Sequence, residues 1–288
     1  MRRRWIHISI FAAALTVLLF YFLNIHRQWT ANEVMNRAQI ARMLALMRYD
    51  VSECEALSKE SGGEGLPSDI ALDDWYGVYA AVVLKEGWMT VEDDGGFHPS
   101  DTFTYGELRH IMEQFHLSED LLSFSMKYRQ DDGMVPKKQW CEIYQLLCAE
   151  SSRVSREVID IHGTSSNISG LEAWQVLTNR GVKRAAGLAV DLYMDRQVEA
   201  YMAGDEIICI IAENDEISRL ENVWIESGEG NEIQVFFGGY ERRIELNGEL
   251  NQTLEPNMAD LIFTDGKLTG VDYKTSRIKD GLTGLGED

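Results

Sequence analysis

The feature that most constrains this chain is an uncharged apolar segment close to its N-terminus. Residues 5–25, from Trp5 to Ile25, contain no Asp, Glu, Lys or Arg. About 20 residues of this kind cross the hydrocarbon core of a bilayer as a helix. Three arginines at residues 2–4 precede the segment, and basic residues next to a membrane helix stay on the cytoplasmic side. The pattern predicts a single-pass anchor in the cell membrane that leaves the C-terminal bulk outside the cytoplasm.

A cleaved signal peptide is the alternative for the same segment. Cleavage requires small residues just beyond the apolar run, whereas residues 24–29 are Asn-Ile-His-Arg-Gln-Trp. We therefore predict an uncleaved signal-anchor, with residues 1–29 forming a cytoplasmic tip and the transmembrane helix.

The rest of the chain is strongly acidic. The 288 residues include 47 Asp and Glu against 27 Lys and Arg, for a net charge of −20. Four arginines and no acids lie in residues 1–27, so the remainder holds 23 basic and 47 acidic residues, or −24. Such a surface repels phosphate backbones, which argues against nucleic acid as a partner. The length suggests about two domains, and the 45% apolar content predicts folded cores rather than disorder.

Helical periodicity and turn signals organise the first 150 residues. Thr104 is placed to cap a helix, with Glu107 three residues later in a capping-box pattern. Turns rich in Asp and Gly precede Phe97 and Pro136. Apolar residues recur at helical spacing in four segments, which are residues 33–47, 75–86, 105–115 and 139–147.

One stretch of this half resembles a surface-layer-homology (SLH) module. Residues 70–116 contain an aspartate before Trp75, then Asp94-Gly95-Gly96-Phe97-His98-Pro99, then Thr104-Tyr105-Gly106-Glu107 opening a second helix. These segments resemble the Asp-Trp, D-G-x-F-x-P and T-R-A-E elements of the family. Partial copies at residues 36–44 and 132–143 make three related turn-helix units, which is an internal repeat. We therefore expect an SLH-like helical repeat domain over residues 30–150.

The resemblance implies non-catalytic binding of an anionic cell-wall polysaccharide. Its candidate wall-polymer contacts are Arg37, Trp75, Thr104 and Glu107. The family arginine is matched by Arg37, whereas Tyr105 takes its place in the full module. Because an acidic domain with few cationic contacts binds anions poorly, a scaffolding role for the repeat is the alternative. Trp75 and Phe97 likewise have a purely structural interpretation as core residues.

The second half, residues 155–275, alternates apolar and polar residues between closely spaced turns. This pattern predicts antiparallel strands in small barrels or sandwiches. The fold class expected for the whole chain is therefore α+β, with a transmembrane helix, a helical domain and a β-rich domain, followed by a glycine-rich tail at residues 276–288. Residues 187–195 and 222–225 are similar in pattern to the region ahead of the catalytic core in stage II sporulation protein D/LytB-type proteins, which act on peptidoglycan.

No set of residues stands out for catalysis or metal binding. The six histidines show no metal-ligand spacing, and the four cysteines (Cys54, Cys141, Cys148 and Cys209) are expected to be buried as small apolar residues. We expect no cofactor and no catalytic residue. The function expected is a non-catalytic, membrane-anchored extracytoplasmic protein of the cell envelope that associates with wall polysaccharide or peptidoglycan. The alternative is the non-catalytic front part of a sporulation protein D-like lytic transglycosylase or hydrolase enhancer.

Overall fold

The computed structural model confirms the α+β class. It describes residues 33–60, 66–118, 129–214, 217–246 and 254–274. These residues divide into two compact units. The helical unit holds residues 33–45 and 52–151, and the sheet unit holds residues 46–51 and those from 152 onwards.

Five α-helices lie in the described residues. Four confirm the sequence prediction to within a few residues at each end. The helix over Val51–Glu60 was not predicted, because its buried residues, Cys54 and Ser58, are small or polar and give only a weak apolar pattern. The helices are α1 (Arg37–Arg48), α2 (Val51–Glu60), α3 (Gly77–Lys85), α4 (Tyr105–Gln114) and α5 (Lys137–Leu147).

Helices α1, α4 and α5 build the core of the helical unit from equivalent positions. In each helix the fourth, seventh and eighth residues are at most 2% exposed. This spacing places them on one face of a helix, so the three helices bury the same face. The residues are Ile40, Met43 and Leu44 in α1, Leu108, Ile111 and Met112 in α4, and Trp140, Ile143 and Tyr144 in α5.

In the described part of the sheet unit, ten strands form two sheets. The first sheet closes on itself in the order β1-β2-β3-β5-β4, and the second is open, in the order β10-β9-β6-β7-β8. We call them the closed sheet and the open sheet. The strands are β1 (Ser155–Thr164), β2 (Gln175–Thr178), β3 (Gly181–Arg184), β4 (Arg196–Ala203), β5 (Glu206–Glu213), β6 (Ser218–Glu229), β7 (Glu232–Phe237), β8 (Tyr240–Glu245), β9 (Asn257–Thr264) and β10 (Lys267–Tyr273).

Pairing within both sheets is antiparallel, except for one parallel pair in the closed sheet, Arg184 with Glu206. In the open sheet, residues of β6, β7 and β9 are buried at alternate positions. This alternation places one face of the sheet on a core that includes Val223, Val235 and Leu261 and leaves the other face towards solvent.

Two sequence predictions fall outside the described residues. The predicted anchor at residues 5–25 and the tail at residues 276–288 both lie there. Within the described part of the chain, none of the helices combines the length and apolar character that crossing a membrane requires.

Candidate functional site

The three predicted turn-helix units meet where their helices begin. The short segments before α1, α4 and α5 pair with one another in a cycle, each bonding to the next through its backbone. Each of the first helical residues donates its N–H to a carbonyl of the neighbouring segment, at 2.6–2.9 Å. The bridges are Asn36 with Thr102, Thr104 with Met134, and Pro136 with Val34. The internal repeat inferred from sequence is therefore a repeat of structure, which we call the three-segment ring.

The first helical residue of each unit is buried in this ring. These positions hold Arg37, Tyr105 and Lys137, which are 1%, 3% and 9% exposed. Each of these side chains hydrogen-bonds with a residue of another turn-helix unit. Arg37 donates to the Glu107 carboxylate, the Tyr105 hydroxyl donates to Gln139 Oε1 at 2.5 Å, and Lys137 Nζ donates to Glu33 Oε2 at 2.9 Å.

Helix capping repeats in two of the three units. The predicted capping box of Thr104 and Glu107 is confirmed, since each side chain accepts from the other's backbone N–H. Asn36 and Gln39 form the same reciprocal pair at the start of α1, at 2.9 and 3.1 Å. Pro136 cannot donate a backbone N–H, which is consistent with Gln139 serving instead as an acceptor for Tyr105.

The Arg37 guanidinium donates hydrogen bonds through all three of its nitrogens. Its Nε donates to the Phe97 carbonyl and its Nη2 to the Thr90 carbonyl, both at 2.6 Å. Its Nη1 donates to Glu92 Oε1 at 2.6 Å and to Glu107. A buried ion pair gains little over its desolvation cost unless further hydrogen bonds satisfy both ions. The two carbonyl contacts meet that condition for Arg37.

Glu107 is the buried partner in this network. Burial raises the pKa of its carboxyl, while Arg37 and the Thr104 groups lower it, and the balance leaves the pKa above its ordinary value. The Thr104 hydroxyl also donates to this carboxylate at 2.9 Å. The structure thus brings together Arg37, Thr104 and Glu107, three of the four residues selected from sequence, which hydrogen-bond with one another inside the helical unit.

Phe97, in the predicted D-G-x-F-x-P turn, contacts Arg37 through both its ring and its carbonyl and Asp69 through its N–H. Its ring is fully buried, with the Arg37 guanidinium 4.9 Å from the ring centroid. Its carbonyl accepts from Arg37, and its N–H donates to Asp69 Oδ1 at 3.0 Å. The expectation that Phe97 enters the core is confirmed. Its buried environment depends on charged residues as well as on apolar packing.

Asp69 is a residue that sequence reasoning missed. Its carboxylate accepts the N–H groups of Phe97 and His98, at 3.0 and 2.6 Å. Desolvation raises the pKa of Asp69, but these amide hydrogen bonds outweigh it and hold the pKa below its ordinary value. The sequence offered one signal for this role, which is that Asp69 directly precedes the segment that begins at Ile70. The partner turn lies 28 residues away, and no local pattern connects the two.

Trp75, the fourth selected residue, lies at the turn that leads into α3. Its ring is half-buried and meets the Tyr76 ring edge-on, with centroids 5.6 Å apart. The Tyr76 hydroxyl donates to Asp74 Oδ2 at 2.9 Å, and burial together with this hydrogen bond raises the pKa of Tyr76 to about 12. Unlike Arg37, Trp75 keeps part of its apolar surface accessible to a ligand.

A second polar cluster lies in the sheet unit. The Asp195 carboxylate accepts hydrogen bonds from both terminal nitrogens of Arg242, and its Oδ1 lies 3.4 Å from His162 Nδ1. The three residues are 4%, 5% and 0% exposed, respectively. Desolvation raises the pKa of Asp195, but Arg242 and His162 more than compensate and lower it. A His–Asp pair suggests acid–base chemistry, yet this pair is closed to substrate and its carboxylate is already neutralised.

Metal-binding geometry is not present in the described ranges, where no three His, Cys, Asp or Glu residues are grouped to hold an ion. Cys54, Cys141 and Cys209 are buried, as predicted, whereas Cys148 is half-buried. Burial raises the pKa of the Cys148 thiol to about 11, which leaves it protonated and unreactive at neutral pH.

Comparison with known proteins identifies no relative: no family model, curated protein or solved structure matches this chain.

Proposed function

We propose that the chain is a non-catalytic, membrane-anchored protein of the cell envelope whose helical unit associates with the cell wall. The observation that carries the proposal is the three-segment ring. Three turn-helix units share one set of backbone pairings, one buried face and one buried position for the family arginine. This arrangement supports the resemblance to SLH modules, which bind wall polysaccharide.

The roles of the four candidate residues follow from their surroundings. Arg37, Thr104 and Glu107 serve the fold, because their hydrogen bonds are made within the helical unit. Trp75 is the residue we propose for polymer contact, since its half-buried ring can stack on the apolar face of a sugar. The acidic surface favours contact with sugar rings over contact with anionic groups of the polymer.

Cosedimentation with purified cell walls tests this proposal. The full-length chain in a neutral detergent is mixed with walls and centrifuged, and we expect Trp75→Ala to lower the pelleted fraction. Trp174→Ala is the matched control, because Trp174 is exposed but lies in the sheet unit. Equal pelleting of both variants and the wild type would remove Trp75 from the proposed surface. A wild-type protein that stays in the supernatant would reject wall association.

A second candidate keeps the same membrane topology but makes the chain the front part of a peptidoglycan-cleaving enzyme. The observation that favours it is the order of the units, with the helical unit followed by a β-rich unit as in the sporulation protein D-like pattern. The DNA downstream of the coding region tests this candidate. A catalytic core in frame or in the adjacent gene supports it, and unrelated sequence rejects it.

A further inference from the structure

The outward face of the open sheet carries an apolar row that the proposed wall association does not use. Trp224 on β6 lies opposite Met258 on β9 and Phe236 on β7, and Phe236 lies opposite Glu241 on β8. The neighbouring residues along these strands, such as Val223 and Val235, point into the core. The rings of Trp224 and Phe236 are 43% and 38% exposed.

The same face carries a row of three glutamates at its far end. Glu229, Glu232 and Glu245 lie directly opposite one another on β6, β7 and β8. Like charges in opposite positions on adjacent strands destabilise a sheet. Arg243 Nε approaches Glu232 Oε1 at 3.5 Å and offsets part of this repulsion. A cationic side chain bound at this row would relieve the remainder.

The distance between the two rows is set by strand geometry. Phe236 lies four positions after Glu232 along β7, and a strand rises about 3.3 Å per residue, so the rows are about 13 Å apart. An extended peptide has the same rise per residue. It can therefore place a basic side chain at the glutamate row and an apolar side chain, four residues away, at the Trp224–Phe236 row.

We propose that this face docks an extended basic segment of a partner protein. Its Lys or Arg residue pairs with the glutamates, and an apolar residue four positions away packs on Trp224 and Phe236. Charge complementarity selects this occupant. A neutral sugar would use the aromatic row but leave the glutamate repulsion in place, and a second copy of the chain would bring a further net charge of −20. Trp224 also favours cations through its ring face.

Fluorescence anisotropy with a labelled peptide tests the proposal. The peptide carries one lysine, a leucine four residues after it, and serine and threonine elsewhere; the protein is the full-length chain in neutral detergent. We expect saturable binding that weakens as salt is raised, because salt screens the attraction between exposed charges. The Debye length is already only about 10 Å at 0.1 M. Shifting the leucine by one residue turns it to the other side of an extended peptide and should weaken binding.

Variants locate the contact. Trp224→Ala and Glu232→Gln should each weaken peptide binding about tenfold, as expected for central interface residues. The matched controls are Trp174→Ala, where the native ring is 42% exposed, and Glu86→Gln, an exposed glutamate of the helical unit. Both controls should bind as the wild type does. Circular dichroism checks that each variant is folded, and Phe236→Ser replaces Trp224→Ala if that variant unfolds.

Three outcomes would overturn the proposal. The first is equal binding by the Trp224→Ala and Trp174→Ala variants, which would reduce the interaction to general attraction between a basic peptide and an acidic protein. The second is binding of an N-acetylglucosamine oligomer at Trp224 with no binding of the peptide. The third is self-association that depends on Trp224 in sedimentation velocity, which would make the face an interface between copies of the chain.

Discussion

Replacement of Arg37 by alanine tests whether this residue holds the helical unit together. The substitution removes the Arg37 donor from the carbonyls of Phe97 and Thr90. It also removes the cationic partner of the Glu107 carboxylate, which keeps only its hydrogen bonds from Thr104. Arg37 is 1% exposed, so water does not take its place without opening the ring. The variant should therefore lose stability rather than a surface contact.

The expected loss can be bounded from these contacts. Removing one partner of a buried ion pair costs about 3–5 kcal/mol, because it leaves an uncompensated charge. The Glu92 contact adds little, since that side chain is 50% exposed. For a domain of this size the loss corresponds to a fall in Tm of about 10–20 °C. Arg37→Lys loses the planar fork that reaches four acceptors but keeps the positive charge beside Glu107. Its loss of stability should therefore be smaller than that of Arg37→Ala.

Urea unfolding of the full-length protein measures this effect, with hydrogen exchange to show that the helical unit is the part destabilised. Arg48→Ala is the matched control, because Arg48 is an exposed residue at the end of the same helix. It should change stability by less than about 0.5 kcal/mol. An Arg37→Ala variant that is as stable as the control, yet no longer pellets with cell walls, would refute the structural role and make Arg37 a ligand contact.

Three further predictions concern other sites. Gly77→Ala should destabilise the helical unit, because a Cβ at Gly77 would lie 2.0 Å from the Ala71 carbonyl oxygen, and thermal melting measures the loss. Asp195→Asn should cost about 3–5 kcal/mol in urea unfolding, because it leaves the Arg242 charge buried without a counter-ion. Asp69→Asn should cost about 1 kcal/mol at neutral pH, since it weakens the partly buried hydrogen bonds to the N–H groups of Phe97 and His98. Because the pKa of Asp69 is lowered by folding, its stabilising effect is present above the unfolded pKa and disappears as pH falls through the folded pKa, so the difference between wild type and variant should shrink below about pH 4.

Local patterns predicted much of the fold. Apolar residues at helical spacing located α1, α3, α4 and α5, and the Thr104–Glu107 pair marked the start of α4 because both partners lie within one turn. Alternation located most strands of the sheet unit, since one face of the open sheet is buried and the other faces solvent. Helix α2 was not predicted, because its few buried residues are small or polar.

The contacts of the ring could not be predicted in the same way. Arg37 reaches Glu92 and Glu107, which lie 55 and 70 residues further along the chain. Folding of the helical unit around the three-segment ring brings Arg37 close to these glutamates, and no spacing in the sequence predicts how that ring closes. The role of Lys137 was not predicted either, because this lysine follows a proline and lacks the capping pattern seen at Thr104. Its equivalence to Arg37 is evident from its buried position and its ion pair with Glu33.

The measurement that tests the central proposal most directly is cosedimentation of the full-length protein with two preparations of the same cell walls. One preparation is intact, and the other is stripped of its wall polysaccharide. The proposed association predicts that the protein pellets with intact walls and stays in the supernatant with stripped walls, while Arg48→Ala behaves as the wild type does. A protein that stays in the supernatant with both preparations would contradict the proposed wall association.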